Sequence, residues 1–237
     1  MTTNTDIKQL RVAITGGTSG LGLALVRNLA TRGARVAFLA RTARAVEQIA
    51  QETGACGIIG DVGCKEDIHP IALQITGNLG GLDVLINNAS TLGPTPLALL
   101  ADTQCEELEQ ALMVNLLGPF RLIKALFGAL AASARGGRGA VVANITSDAA
   151  INPYPGWGAY GTSKAALNHL TAIWAAEAKA QGISFLALDP GDMDTPLHWR
   201  AIPDADAAAL KRPEVAAAEI IRSLLTVLPS CMAELAV

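Results

Sequence analysis

Near its N-terminus the chain reads Arg11-Val-Ala-Ile-Thr-Gly-Gly-Thr-Ser-Gly-Leu-Gly22, a short apolar run that leads into a glycine turn. Apolar residues then recur at helical spacing over residues 21–32, so a strand, a turn and a helix follow one another directly. A helix that begins right after a buried strand presents unpaired N–H groups and the positive end of its dipole. Gly16, Gly20 and Gly22 would let an anion such as a pyrophosphate approach the backbone.

An ordinary glycine turn is the alternative interpretation of this segment. The strand and the helix on either side of the glycines favour a phosphate-binding turn instead. The spacing TGxxxGxG has no Gly-Lys-Ser/Thr after it, which disfavours a P-loop and therefore a phosphotransferase.

Five further apolar runs, most of them followed by a helical pattern, continue the alternation. The predicted strands after the first are 35–40, 56–60, 82–86, 140–145 and 183–188. The predicted helices after the first are 43–53, 65–79, 103–134, 159–181 and 213–228. This order predicts an α/β fold, a doubly wound parallel Rossmann-like sheet of six to seven strands. A seventh strand is possible at 231–236. We expect one domain over 1–237, with an N-terminal tail at 1–9 and a substrate-covering loop at 192–212.

Composition excludes several classes of function. The 237 residues carry a net charge of only −3 and 4% aromatics, so no nucleic-acid or anionic membrane surface is expected. Arg121 and Lys124 interrupt the apolar stretch 116–134, which disfavours a membrane span. No secretory signal pattern precedes the first strand, so we expect a cytoplasmic protein. The four cysteines form no CxxC pair, so neither a metal site nor a disulfide framework is predicted.

The second and third predicted strands end in residues suited to a nucleotide. An acidic residue after the second strand would bind a free ribose 2′-OH, but Ala40 cannot, and Arg41 offers a forked cation for a 2′-phosphate. This favours NADP(H) over NAD(H), although Arg41 could also be a plain surface residue. Asp61 could accept from an adenine amino group or cap the next helix.

Tyr160 and Lys164 are four residues apart in a predicted helix and would share one face. An ammonium beside a phenol would lower the pKa of the phenol and suit it to general acid or base work. The alternative is a half-buried ring beside a solvated amine. Ser147 follows the fifth strand at the edge where open α/β sheets bind ligands. Asn115 lies inside a long predicted helix, and Pro119 predicts a kink or wet pocket beside it; a solvent-facing Asn115 is the alternative.

Taken in order, these motifs resemble the short-chain dehydrogenase/reductase family over about residues 11–195. The resemblance rests on TGGTSGLG, Asn87-Asn-Ala-Ser90, Asn115, Ser147, Tyr160-x-x-x-Lys164 and Pro190-Gly-x-x-x-Thr195. The joint order and spacing of these motifs is far more specific than any one of them.

The resemblance implies hydride transfer between NADP(H) and a carbonyl or alcohol, with a catalytic tetrad of Asn115, Ser147, Tyr160 and Lys164. Tyr160 would exchange a proton with the substrate oxygen and Ser147 would hold that oxygen. Lys164 would lower the tyrosine pKa and bind the nicotinamide ribose, and Asn115 would hold a relay water. The implied cofactor-binding residues are Gly16, Thr18, Ser19, Gly20, Leu21, Gly22, Arg41, Asp61, Val62, Asn88, Ala89, Tyr160, Lys164, Pro190, Gly191 and Thr195.

The expected substrate is a small or medium apolar molecule in a pocket over the strand ends. Its predicted lining is Asp148, Ile151, Tyr154, Trp157, Met193, Leu197, His198 and Trp199. Two departures from the family stand out: Ser90 replaces the usual Gly, and the C-terminus lacks the usual glycine-rich ending. The second departure favours a homodimer, through the helices carrying Asn115 and Tyr160, over a tetramer. A non-catalytic NADP(H)-binding sensor and an isomerase or dehydratase are the alternative functions.

Overall fold

A six-stranded parallel sheet forms the centre of the computed structural model, which describes residues 7–229. Its strands are β1 (Arg11–Thr15), β2 (Arg35–Ala40), β3 (Cys56–Ile59), β4 (Val84–Asn87), β5 (Ala140–Ile145) and β6 (Ile183–Leu188). The strand order is β3-β2-β1-β4-β5-β6, and every neighbouring pair is parallel. The order reverses between β1 and β4, which is the Rossmann arrangement, so the predicted fold class is confirmed. The possible seventh strand at 231–236 lies outside the described residues.

Eight α-helices connect and flank the strands in the described part of the chain. They are α1 (Gly20–Thr31), α2 (Ala43–Thr53), α3 (Ile68–Leu79), α4 (Cys105–Leu112), α5 (Gly118–Arg135), α6 (Gly158–Glu177), α7 (Pro196–Ala201) and α8 (Pro213–Val227). Single 3-10 turns at Asp148–Ala150, Lys179–Gln181 and Ala207–Ala209 complete the connections.

Both faces of the sheet are buried, which explains why its strands read as continuous apolar runs. Successive side chains of β1 point to opposite faces: Val12 and Ile14 belong to a core formed with α1 and α8, while Ala13 belongs to one formed with α3 and α5. Ile7 packs into the first core at 3% exposure. The packed structure therefore includes a residue of the segment predicted as a tail.

The predicted helix 103–134 is interrupted by a π-helical turn at Met113–Leu117. The N–H of Gly118 bonds to the carbonyl of Met113, five residues earlier. Pro119 has no N–H to give the carbonyl of Asn115, the bond that a regular α-helix would make there. The irregularity predicted near Asn115 is thus present, but as a π turn.

By length and composition, one continuous helical run among the described residues, Cys105–Arg135, could cross a membrane. Leu122, Leu126 and Leu130 of this run have no exposed surface and pack in the core beside α3 and the sheet. That is the position of a core helix.

A buried ionic cluster joins the amino ends of β1 and β4. Asp83 is 0% exposed, and its carboxylate accepts from Arg11, from Arg138 at 2.9 Å and from Ser133 at 2.6 Å. Burial alone would raise the pKa of Asp83, but these donors together lower it to about 2. The charge of Asp83 is therefore fully compensated at neutral pH.

Candidate active site

An open cleft of about 350 Å³ lies at the carboxyl edge of the sheet, where the strand order reverses. One end is lined by Arg41 and Asp61, and the other by Tyr160 and Lys164. Open α/β sheets bind their ligands at this place because the loops after β1 and β4 separate there.

Most of the predicted site residues line this cleft. The lining includes Thr18, Ser19, Leu21, Val62, Asn88, Ala89, Ser147, Pro190, Gly191 and Thr195, besides Gly16, Gly20, Arg41, Asp61, Tyr160 and Lys164. The structure does not place Gly22 or Asn115 in its wall. Gly22 serves the shape of the turn instead, since a Cβ there would clash with the carbonyl oxygen of Gly16.

The glycine turn fits the phosphates of a dinucleotide. Gly16 has φ +71°, and a Cβ on it would come within 3.0 Å of Ala89 Cα, so only glycine keeps this wall open. Helix α1 begins at Gly20, and its N-cap Ser19 makes no side-chain capping bond. The first turn of α1 therefore offers backbone N–H groups to an anion, with no acidic side chain against it.

Asn88 holds the loop after β4 against the glycine turn. Its Nδ2 donates to the carbonyls of Thr15 at 2.9 Å and Gly16 at 3.2 Å. The N–H groups of Asn88 and Ala89 both donate to Thr15 Oγ1 at 2.9 Å. These four hydrogen bonds fix the loop after β4 beside the glycine turn.

The end of the cleft beside β2 and β3 presents Arg41 and Asp61. Arg41 is exposed at the mouth, directly after β2. Asp61 Oδ1 accepts from Gly63 N at 2.8 Å. Helix α3 begins only at Ile68, so the alternative that Asp61 caps it is wrong.

Tyr160 lies in the first turn of α6 and is 7% exposed. Its ring packs edge-on against Trp157, with the centroids 5.7 Å apart. Burial raises the pKa of Tyr160 to about 12, while the hydroxyls of Ser147 and Ser90 act in the opposite direction. The expected lowering of this pKa is therefore not seen in the free protein, because desolvation of the phenolate is the largest effect.

Lys164 lies one helical turn after Tyr160 and is 2% exposed. Its Nζ donates to the carbonyl of Ile145 at 2.8 Å and lies 5.4 Å from the centroid of the Tyr160 ring. Burial lowers the pKa of Lys164 to about 7, opposed by the charge of Asp189. The alternative interpretation from the sequence, in which the amine is solvated, is therefore wrong.

Ser147 follows β5 in an extended conformation with φ −159°. Its Oγ accepts from Ala149 N at 3.2 Å and donates to Asp148 Oδ1 at 3.1 Å. Tyr154 Oη also donates to this carboxylate, at 2.8 Å to Oδ2. The hydroxyl of Ser147 is thus held between the helical turn after it and the carboxylate beside it.

Asn115 is 0% exposed, so the solvent-facing alternative is wrong. Its Nδ2 donates to the Thr91 carbonyl at 2.8 Å and to Ser163 Oγ at 2.9 Å. Its Oδ1 accepts from Thr91 N at 2.9 Å and from Ser90 Oγ at 3.1 Å. The side chain is fully engaged with protein partners.

A family model of the short chain dehydrogenases matches residues 11–206 of this chain. The chain belongs to this family.

Two of the proteins similar to this chain are dehydrogenases whose names contain a hydroxyl-bearing compound. The chain is 33% identical over 198 residues to 2-(R)-hydroxypropyl-CoM dehydrogenase of Xanthobacter autotrophicus, covering 80% of this chain and 78% of the relative. It is 34% identical over 204 residues to 2,5-dichloro-2,5-cyclohexadiene-1,4-diol dehydrogenase of Sphingobium indicum, and the match covers 85% of this chain and 79% of that relative. A short chain dehydrogenase structure from Shigella flexneri, complexed with NADP, has a TM-score of 0.79, 25% identity and 89% coverage of both chains. The chain is therefore an oxidoreductase of the short-chain dehydrogenase family.

The substrate end of the cleft contains only part of the predicted lining. Five of the predicted side chains lie in its wall: Asp148, Trp157, Met193, Leu197 and His198. The other three do not: Ile151 is 81% exposed, Tyr154 Oη donates to Asp148 at 2.8 Å, and Trp199 Nε1 donates to Asp194 at 2.7 Å.

The wall also contains side chains that were not predicted from the sequence, among them Gln110 and Arg200. Arg200 is three residues after Leu197 in α7, and this helical spacing is a signal that could have identified it. Within residues 7–229, no three His, Cys, Asp or Glu side chains come together as a metal site.

Proposed function

We propose that this chain interconverts an alcohol and a carbonyl compound with NADP(H), and that Tyr160 is the general acid and base. The observation that carries the proposal is the meeting of the hydroxyls of Ser147 and Tyr160 in one cleft, with Lys164 buried beside the phenol. A substrate oxygen between these two hydroxyls would receive two hydrogen bonds at the point where negative charge develops.

In the direction of reduction, NADPH held in this cleft would supply the hydride that the carbonyl carbon accepts. Tyr160 donates its proton to the carbonyl oxygen, and Ser147 orients that oxygen by a hydrogen bond. The product is the alcohol, and the phenolate left on Tyr160 regains a proton from solvent. Lys164 stabilises that phenolate, because its pKa of about 7 leaves much of it protonated at neutral pH.

Asn115 contributes to the return of a proton to Tyr160 through its backbone carbonyl. Its side chain is committed to Thr91, Ser163 and Ser90. Its carbonyl oxygen lies in the π turn and lacks the bond that Pro119 would have made in a regular helix. We assign to this carbonyl the water that passes protons toward Lys164.

NADP(H) is the proposed cofactor because Arg41 stands exposed at the end of β2, where a 2′-phosphate would lie. Ala40 before it offers no carboxylate to a free 2′-hydroxyl. Solved structures of this fold hold either NADP or NADH, so the proposed choice rests on Arg41. NAD(H) is the less favoured alternative.

The test is oxidation of NADPH and NADH at 340 nm against aldehydes, ketones and quinones, for wild type and Tyr160→Phe. We expect NADPH-dependent turnover that falls at least about 10²-fold in the variant, with cofactor binding retained by fluorescence titration. Turnover undiminished in Tyr160→Phe would reject Tyr160 as the acid. Tight cofactor binding without turnover of any carbonyl compound would favour the sensor alternative.

We also propose that the protein forms a homodimer through α6 and the helical run Cys105–Arg135, which carries Asn115. The proposal rests on the Ala-rich sequence of α6, which would permit close approach of a second helix, and Ile173 is a partly exposed position on α6 at 42%. Light scattering of the wild type and of Ile173→Glu tests this proposal. A monomeric wild type would reject it.

A further inference from the structure

Asp148 places a carboxylate directly beside the reacting position. Oδ1 accepts from Ser147 Oγ at 3.1 Å, and Oδ2 accepts from Tyr154 Oη at 2.8 Å. The hydrogen bond from Tyr154 is the largest of the effects that hold the pKa of Asp148 below its ordinary value. Asp148 is therefore ionised at neutral pH and can only accept hydrogen bonds.

The contact between Asp148 and Ser147 would have to change if Ser147 bound a substrate oxygen. Ser147 has a single hydroxyl proton, and it cannot donate to a carbonyl oxygen and to Asp148 at the same time. If Ser147 turned to a substrate, Asp148 would lose this donor, while Tyr154, Asn152 and the backbone of Ala149 would still act on its carboxylate. A donor on the substrate itself would restore the hydrogen bond that Oδ1 has lost.

We propose that the substrate is an uncharged compound with a hydroxyl on the carbon next to the reacting carbon, and that Asp148 selects for this hydroxyl. This inference rests on the proposed carbonyl and alcohol chemistry. The substrate class is thus the 2-hydroxy carbonyl compounds and the vicinal diols to which they are reduced. This class is more polar than the apolar substrate expected from the sequence.

The spacing of the two groups fits this class. Ser147 Oγ and Asp148 Oδ1 are one hydrogen-bond length apart, which is also about the separation of two oxygens on adjacent carbons in a gauche arrangement. The carbonyl oxygen would face Ser147 and Tyr160 while the neighbouring hydroxyl donates to Asp148. Hydride adds to the carbonyl carbon, the Tyr160 proton adds to its oxygen, and the second hydroxyl is unchanged.

The charges at this end of the cleft favour a neutral substrate. Asp148, Asp189 and Asp192 all line it, and His198 lies 3.7 Å from Asp192. The cations at this end of the wall are Lys164, whose Nζ donates to the carbonyl of Ile145, and Arg200, whose Nε donates to the carbonyl of Pro196. The carboxylates therefore outnumber the cations beside the reacting position. A carboxylate on the carbon next to the reacting one would meet Asp148 and be repelled.

The experiment compares kcat/KM for three ketones of similar size with NADPH: 2-hydroxycyclohexanone, 2-methoxycyclohexanone and cyclohexanone. The methoxy compound keeps the oxygen but lacks the donor. For wild type we expect the hydroxy ketone to exceed both others by about tenfold or more, the value of one hydrogen bond to a charged group. In Asp148→Ala and in the isosteric Asp148→Asn, this preference should shrink toward one.

Equal kcat/KM for the three ketones in wild type would overturn the proposal, and so would a preference that survives in both Asp148 variants. Failure to reduce the hydroxy ketone at all would also reject it. These results leave the proposed function standing if any carbonyl compound in the wider panel is reduced by wild type and not by Tyr160→Phe. Because the methoxy comparison needs no variant, it remains decisive even if Asp148→Ala fails to fold.

Discussion

Asn115 Nδ2 donates to Ser163 Oγ at 2.9 Å, and Ser163 Oγ donates in turn to the carbonyl of Tyr160 at 2.6 Å. This chain of bonds joins the π turn between α4 and α5 to the first turn of α6. Thr91 binds the same asparagine from the loop after β4. The position of the proposed acid therefore depends on a side chain that does not line the cleft.

Replacing Asn115 with Ala should lower both stability and kcat. The change leaves the buried groups of Thr91 and Ser163 without partners, which costs about 2–4 kcal/mol. Urea denaturation and steady-state kinetics check the two effects. Asn78→Ala is the matched control, because Asn78 is exposed and donates only to the Gln74 carbonyl of its own helix. Equal denaturation midpoints for the two variants would contradict the assigned role.

Asp83→Asn should destabilise the protein by about 3–5 kcal/mol at pH 7, since it breaks a buried ion pair. The folded pKa of about 2 lies below the ordinary 3.8. The contribution of Asp83 is therefore complete above about pH 4 and is lost as the pH falls toward about 2. Urea titrations across this range should show the gap between wild type and variant narrowing.

The control for Asp83 is Arg27→Ala, which removes an ion pair with Glu52 on the surface. Such exposed pairs contribute little, so its denaturation midpoint should stay close to that of wild type. A larger loss in Arg27→Ala than in Asp83→Asn would contradict the importance of the buried cluster.

Lys164→Met should abolish most activity yet raise the melting temperature at pH 6 by about 4 °C or more. The pKa of Lys164 is about 7 in the folded protein against an ordinary 10.5. Burial of the charged amine therefore destabilises the fold fully below pH 7, and this cost falls as the pH rises toward 10.5. Calorimetry should show the advantage of the Met variant shrinking over that range. A wild type more stable than the variant at pH 6 would contradict this account.

Arg41→Ala should raise the KM for NADPH at least about tenfold and leave that for NADH nearly unchanged, because only NADPH carries the 2′-phosphate. Steady-state kinetics with both cofactors checks this. Arg44→Ala is the control, since Arg44 is exposed and does not line the cleft. An equal loss for both cofactors would indicate that Arg41 does not read the 2′-phosphate.

Several elements were predicted from the sequence with the bounds they have in the structure. Strands β2, β5 and β6 and helix α2 are examples. Each is an unbroken apolar run or a regular helical pattern bounded by residues of a different type, so local periodicity is enough. The order of the catalytic motifs also identified the family correctly.

The sequence could not show contacts between residues that are far apart in the chain. The partners of Asn115 are 24, 25 and 48 residues away, and no local pattern indicates them. Asp83 stands in an apolar run, which signals a buried charge but not that Arg11 and Arg138 would compensate it. The sequence predicted a lowered pKa for Tyr160, but burial of the ring raises it, and the extent of burial is not visible in the local sequence.

Hydride transfer itself is the most direct test of the central claim. The protein would be incubated with NADPH deuterated at both C4 positions and 2-hydroxycyclohexanone or another ketone that it reduces, and the alcohol analysed by mass spectrometry. For wild type we predict one deuterium on the carbon that was the carbonyl carbon of the ketone, and for Tyr160→Phe almost no product. An alcohol without deuterium, or labelled product in equal amount from the Tyr160→Phe variant, would contradict the account.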